Sequence, residues 1–268
     1  MPKDIHVLMI EDDPFARDLM GMLLTRDWRT RIVSEVGSED DLQRALDIPY
    51  QRIDATVLDT EVPGDANWPF KAAEITLGKN PATKILCTAT RSEPGILKRV
   101  LDLGFGGYVV KKEMGYSLAS AVALVVKSGR FVLTESSYRL ALRERLALPE
   151  EAVVLDGNRP VANLTPREEE IARLAILFNH PHRDLSDELL IRADQVSKHV
   201  SNVYSKLGLD QIIEGELAPD VFFQDKLVLK HFRRILGKVS RQSSRRKTAD
   251  MATLAFHLLT QPEVRELL

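Results

Sequence analysis

The sequence predicts a two-part chain. Residues 1–129 read as a five-stranded parallel α/β sheet with helices on both faces, and an all-α region with a helix-turn-helix and a helical C-terminal extension follows. Three observations lead there. Strand-like and helix-like segments alternate up to residue 129, the pattern of βα units. A strongly capped helix then restarts order at Leu164-Thr165-Pro166-Arg167-Glu168. The length, 268 residues, exceeds what one ordinary core takes up.

In chain order, the strand candidates are His6–Ile10, Thr30–Val36, Ala55–Leu58, Lys84–Thr88 and Gly107–Val110. Each is a short apolar run rich in β-formers. Helical patterns cover Phe15–Asp27, Glu39–Asp47, Phe70–Leu77, Pro94–Leu103 and Tyr116–Lys127. Asp13-Pro14 reads as an N-cap with proline at the first helical position. In sheets of this kind ligands bind beyond the carboxyl ends of the strands.

Those ends carry a consistent chemistry. The first strand runs into Glu11-Asp12, the third into Asp59, the fourth ends at Thr88, and the fifth runs into Lys111. Three bare carboxylates together repel, so they raise their pKa values or recruit a cation. Hard oxygens with little else suit Mg²⁺, which often shares its shell with a phosphate. Lys111 offers an ammonium and Thr88 a hydroxyl to an anion placed over Asp59. The set suits phosphoryl transfer onto a carboxylate, with Asp59 as the attacking group. Taken singly, Glu11 and Lys111 would be surface charges, and Lys112 and Glu113 read as solvated loop charges.

Composition narrows the class. Hydrophobic content of 44% and charged content of 28% are those of a globular protein. A single cysteine, Cys87, excludes a disulfide framework and reads as a packed strand residue. No apolar run reaches membrane-spanning length, and Met1-Pro2-Lys3-Asp4 lacks signal-peptide character, so a cytoplasmic protein is expected. The net charge of −2 gives no global basic field, and positive excess appears only after residue 210.

On the strand-end set, residues 1–129 resemble the receiver domain of two-component response regulators. The resemblance implies strand order 2-1-3-4-5 and a cognate histidine kinase as phosphate donor. It implies that Asp59 is the phosphorylated residue, that Asp12 ligates Mg²⁺ directly with Glu11 in its outer shell, and that the Glu61 carbonyl completes the protein ligands. Thr88 would bond the phosphoryl group, Lys111 would pair with it, and Tyr108 would be the switch aromatic whose ring follows Thr88. This sequence departs from the family in the loop Gly64-Asp65-Ala66-Asn67-Trp68-Pro69, which lacks a second glycine and carries a tryptophan, and in the Glu61 carboxylate beside the site.

Residues 130–163 read as a connection. Thr134-Glu135-Ser136-Ser137 opens a short amphipathic helix to about Leu146, and Pro149 to Pro160, with Gly157-Asn158, reads as a linker. Thr165 is then a good N-cap, Pro166 suits N1 and Glu168 sits at N3. Helices follow over Asp184–Leu190 and Asp194–Leu207, the second stopped by Gly208. Two short helices with a tight turn suggest a helix-turn-helix. At ~100° per residue, Val196, Val200, Val203 and Leu207 form one apolar stripe. Lys198, Ser201, Asn202 and Ser205 face the other way, flanked by Ser197 and His199; that short polar face suits base edges and phosphates in a major groove.

Residues 164–209 resemble the LuxR-type DNA-binding domain. They share its Leu-Thr-Pro-Arg-Glu opening and its signature at Val196, His199, Val200, Ser201, Asn202, Lys206, Leu207 and Gly208. The match implies DNA contacts from Ser197, Lys198, His199 and Ser201. Departures are Asp187 and Glu188 where basic residues are common, Arg192 at an N-cap, and a longer turn through His180 and His182, which read as loop residues.

Residues 210–268 extend the chain further. Val221, Val228, Phe232 and Ile235 share one face, with Lys226, Lys230, Arg233 and Arg234 opposite. Ser240–Lys247 is Ser/Arg-rich, and Ala249–Leu259 carries the stripe Met251, Leu254, Ala255 and Leu258. The apolar faces read as core or a dimer seam, and Arg245-Arg246-Lys247 as a phosphate-contacting triplet. The whole reads as a phosphorylation-controlled, DNA-binding transcriptional regulator, expected as a homodimer on double-stranded DNA, with no membrane partner and no enzymatic role beyond its own phosphorylation. The rival is a phospho-dependent adaptor whose helical part binds a protein.

Overall fold

Valine, isoleucine and leucine runs bounded by turn residues form strands because branched side chains fit a pleated surface buried on both faces. The computed structural model describes residues 5–49, 51–61, 66–158, 163–223, 225–239 and 244–267, with the side chains of 244–248 outside that description. The chain divides into two units, one of residues 1–159 with 262–268 and one of residues 160–261.

In the first unit the strands are β1 (Ile5–Ile10), β2 (Thr30–Val36), β3 (Ala55–Asp59), β4 (Lys84–Ala89) and β5 (Gly107–Val110). Between them run α1 (Pro14–Arg26), α2 (Glu39–Leu46), α3 (Trp68–Lys79) and α4 (Pro94–Asp102). After β5 come a single turn, α5 (Lys111–Met114), and α6 (Leu118–Ser128). The expected order 2-1-3-4-5 is present and all its pairings are parallel. Alternation splits each strand between two cores: Leu8, Ile10 and Leu58 on one face, Val7, Met9 and Val57 on the other. Each such aliphatic contributes ~1.5–3 kcal/mol on burial.

The five-strand expectation is corrected: the sheet has eight strands, in the order β2-β1-β3-β4-β5-β6-β7-β8. The added elements are β6 (Phe131–Leu133), α7 (Glu135–Arg143), β7 (Ala152–Asp156) and β8 (Glu263–Glu266). β6 and β7 continue the parallel sheet, so the segment read as a linker holds a core strand. β8 comes from the far end of the chain and pairs antiparallel with β7, Val154 opposite Arg265 and Leu155 opposite Val264. Gly157, read as a linker residue, is instead a close approach. Its N–H donates to the Glu113 carbonyl, and a Cβ there would lie 1.6 Å from the Met114 carbonyl oxygen.

Other readings also change. Trp68 is buried in the core and opens α3, two residues before the expected start. Gly64 and Asp65, which open the loop before Trp68, lie outside the described residues. Cys87 is buried in β4, as read.

The second unit is helical. α8 (Pro166–Ile171) continues as a π-helical turn over Ala172–Leu177, followed by α9 (His182–Glu188), α10 (Ala193–Lys206) and α11 (Leu209–Glu214). A 3₁₀ turn, Pro219–Val221, precedes α12 (Lys226–Val239) and α13 (Ser244–Leu259). The expected capping box forms: Glu168 N–H donates to Thr165 Oγ1 at 3.3 Å, and Thr165 N–H to Glu168 Oε2 at 2.7 Å. Val228 and Phe232 are buried, Phe232 with its ring 4.8 Å from that of Phe223. Val221 is corrected: it lies on the 3₁₀ turn, off the α12 stripe, and is exposed. Met251, Leu254, Ala255 and Leu258 are buried as core.

Candidate functional site

The parallel register builds the first site. Asp59 pairs across β3–β4 with Thr88, and Ile10 pairs with Leu58, so Glu11 and Asp59 leave adjacent strands at one level. Ala89 pairs with Val110, which places Lys111 at the same edge. Lys111 is the first residue of α5 rather than a strand end, because the chain turns helical directly after Val110. Its Nζ lies 2.7 Å from Glu11 Oε2 and 3.3 Å from Asp59 Oδ2.

Burial sets the electrostatics. Glu11 is fully buried and Asp59 nearly so, while Asp12 is half-buried. Desolvation, with a contribution from the neighbouring Asp59, pushes the Glu11 carboxyl up to about 7 against the pull of Lys111. Burial likewise raises Asp59, opposed by the Lys111 ammonium. For Lys111 burial works the other way, but Glu11 and Asp59 outweigh it and hold the pKa above the usual lysine value.

The donor set fits a hard divalent cation. Glu11, Asp12 and Asp59 offer carboxylate oxygens within 4.8 Å of one another, and Glu11 Oε1 is buried with no hydrogen-bond partner among the described residues. Asp13 stands apart as the α1 N-cap, accepting from Phe15 N–H at 2.8 Å and Ala16 N–H at 3.2 Å.

Around Asp59 the loops are fastened by side chains. Glu61 turns its carboxylate to Thr90, accepting from its N–H at 2.6 Å and its hydroxyl at 2.8 Å. Among the described residues Thr88 Oγ1 makes a single long contact, 3.5 Å, with the Leu58 carbonyl. Tyr108 is fully buried; its hydroxyl donates to the Arg91 carbonyl at 3.1 Å and accepts from Glu93 N–H at 3.3 Å. Burial pushes that phenol up to about 12. Glu113, read as a solvated loop charge, instead accepts from Ser136 N–H at the start of α7, at 3.0 Å. Nothing in the sequence marks Thr90 or Ser92. Ser92 Oγ lies 3.1 Å from Ser136 Oγ and 2.8 Å from Ser137 Oγ.

In the helical unit the α10 stripe Val196, Val200, Val203 and Leu207 is buried, while Ser197, Lys198, Ser201, Asn202 and Ser205 are exposed and His199 is half-buried. His182 opens α9, its Nδ1 3.1 Å from Ser197 Oγ. At the α10 N-terminus Gln195 accepts from the Arg192 N–H at 3.1 Å, and Arg192 pairs with Asp194. Lys206 Nζ lies 2.6 Å from Glu168 Oε2 and fastens α10 to the start of α8. That bond, with the Thr165 N–H, holds the Glu168 carboxyl at about 2. The side chains of Arg245, Arg246 and Lys247 lie outside the described residues.

No family model matches the chain. It is similar to the Fimbriae Z protein of Salmonella typhimurium, 24% identical over 215 residues, covering 79% of this chain and 94% of that protein. It is also similar to the transcriptional regulatory protein DesR of Bacillus subtilis, 26% identical over 212 residues with the same coverage. Among solved structures, the response regulator RcsB in complex with DNA aligns with TM-score 0.46 and 19% identity, over 90% of this chain and all of that one. Over most of its length the chain is similar to curated transcriptional regulatory proteins. No helix among the described residues is long and apolar enough to cross a membrane.

Proposed function

We propose that the chain is a DNA-binding transcriptional regulator whose activity is set by phosphorylation of Asp59, with a histidine kinase as donor. The observation that carries this is the convergence of Lys111 on Glu11 and Asp59 at the end of the parallel strands, beside the Asp12 carboxylate. An Asp59 oxygen attacks phosphorus; the new P–O bond forms as the bond to the donor breaks, and the donor leaves with the electron pair. Asp12, Asp59 and the Glu61 carbonyl, with Glu11, would hold Mg²⁺, which when bound would supply charge neutralisation for the phosphoryl oxygens. Lys111 pairs with one phosphoryl oxygen and the Thr88 hydroxyl donates to another. The weak contact that hydroxyl makes leaves it free for this. Beyond this self-directed transfer, the protein is not an enzyme.

The helical unit is the DNA reader. α9 and α10 act as a helix-turn-helix, and the exposed face of α10, Ser197, Lys198, Ser201, Asn202 and Ser205 with His199 at its margin, enters a major groove. The RcsB–DNA complexes support DNA as the partner, and two RcsB dimers on DNA are the precedent for a homodimer. Extended similarity to transcriptional regulators, over 79% of the chain, weighs against the protein-adaptor reading. The test is binding to duplex DNA by the full chain with and without acetyl phosphate and Mg²⁺. Phosphate-dependent, sequence-selective retention supports the reading, and equal retention with and without phosphate on the protein refutes the control it assigns to Asp59.

A further inference from the structure

The eighth strand is the least expected element of the fold. The chain leaves the sheet after β7 and re-enters it at β8, so residues 160–261 are attached to the first unit at both ends. β8 is short and on the edge of the sheet, and three interactions hold it beyond its backbone pairing. Arg265 pairs with Glu135 of α7 at 2.6 Å, its guanidinium also 5.4 Å from the Tyr138 ring centroid. Glu266 pairs with Arg130 at 3.0 Å. Val264 and Leu267 pack on the two cores. Exposed ion pairs of this kind contribute ~1 kcal/mol or less, so β8 is a weakly held element.

The same α7 that grips Arg265 is bound to the loop after β4. Ser92 in that loop touches both Ser136 and Ser137, while Thr90, two residues earlier, is clasped by Glu61 next to Asp59. The β4–α4 loop is therefore tied at Thr90 to the β3 end and at Ser92 to the first turn of α7, whose Glu135 pairs with Arg265. The first turn of α7 has further ties. Among the described residues they include the Glu113 carboxylate and the Thr134 hydroxyl, which accepts from Val110 N–H at 3.0 Å.

We infer that β8 is a latch released by phosphorylation, with α7 as the lever between the two. The inference rests on Asp59 being the phosphoacceptor. A phosphoryl group on Asp59 draws the Thr88 hydroxyl inward, and the loop that follows moves with it. Ser92 then leaves Ser136 and Ser137, the first turn of α7 loosens, and Glu135 and Tyr138 lose their hold on Arg265. Release of β8 leaves residues 160–261 joined to the sheet by the chain at their N-terminal end alone. Coupling of this kind needs an element with two discrete arrangements biased by the site, and docked or free β8 is such an element.

Hydrogen exchange on the full chain tests it, read on peptides spanning 152–156 and 262–267, with phosphate incorporation at Asp59 measured in the same sample. On adding acetyl phosphate and Mg²⁺, wild type is expected to exchange several-fold faster in both peptides. Asp59→Asn stays slow in both conditions. Ser92→Ala and Arg265→Ala exchange fast with or without phosphate. Incorporated phosphate with unchanged or slower exchange in wild type overturns the latch, as does a Ser92→Ala variant that responds as wild type does. Absence of incorporated phosphate overturns the phosphoacceptor reading itself, and the latch with it.

Discussion

The ammonium of Lys111 lies 2.7 Å from the fully buried carboxylate of Glu11, and this pair is what allows Asp59 to be buried beside a second acid. Without the cation, Glu11 and Asp59 would face each other across adjacent strands with only Asp12 nearby. Lys111→Ala is therefore expected to destabilise the first unit by about 3 kcal/mol, the cost of leaving a buried charge uncompensated. Mg²⁺ at millimolar concentration should recover part of that loss, because the same oxygens can be neutralised by metal. Urea unfolding with and without Mg²⁺ measures both; a loss that Mg²⁺ leaves unchanged argues against a metal site.

Glu168 gives a pH dependence with a definite sign. Its folded pKa is depressed from 4.5 to about 2 by Lys206 and the Thr165 N–H. A depressed carboxylate contributes stability that is fully present above its unfolded value and is lost as pH falls through the folded value. Glu168→Gln should therefore be less stable than wild type at neutral pH, and the gap should close between about 4.5 and about 2. Loss of the cap side chain altogether, in Thr165→Ala, is expected to cost ~1 kcal/mol. Thermal melts of the two proteins across that range check the closing of the gap.

Lys198 is the charged member of the exposed α10 face, and Lys198→Ala should lose ~1–3 kcal/mol of binding if it reaches a base edge, with selectivity relaxed at one position. A loss uniform across sequences places it on phosphate. Fluorescence anisotropy on a panel of single-base variants separates the two. Equal binding by wild type and the Lys198→Ala/Ser201→Ala double variant returns the helical unit to the adaptor reading.

The triplet Arg245-Arg246-Lys247 is expected to add phosphate contacts, each worth about −0.9 in the slope of log K against log salt. Replacing all three with alanine should make the slope shallower by up to roughly 2.7. Titrations at several salt concentrations measure it, and an unchanged slope removes the triplet from the interface.

Much of the first unit was legible because its strands announce themselves locally. Ala55–Asp59 is a β-forming run, and its end residue draws meaning from Glu11, Thr88 and Lys111 at the neighbouring ends. The added strands are hidden in the sequence for three separate reasons. Phe131–Leu133 is too short to show a period. Ala152–Asp156 has the composition of a strand but lies between turn residues that read as a linker. Glu263–Glu266 is mostly charged, and only its pairing with β7 makes it a strand. The α10 stripe was legible from helical spacing alone, since Val196, Val200 and Val203 are buried where an apolar face requires them. The ties at Thr90 and Ser92 were not, because hydroxyl residues in a loop carry no signal until α7 is placed against them.

The central claim is that Asp59 accepts phosphate in a site completed by Glu11, Asp12, Thr88 and Lys111. The direct measurement is intact-mass and peptide analysis of the full chain after incubation with acetyl phosphate. One phosphoryl group on Asp59 in the presence of Mg²⁺, none after chelation, and none in Asp59→Asn is the result expected. An Asp59→Asn variant labelled to the same extent as wild type would contradict the account.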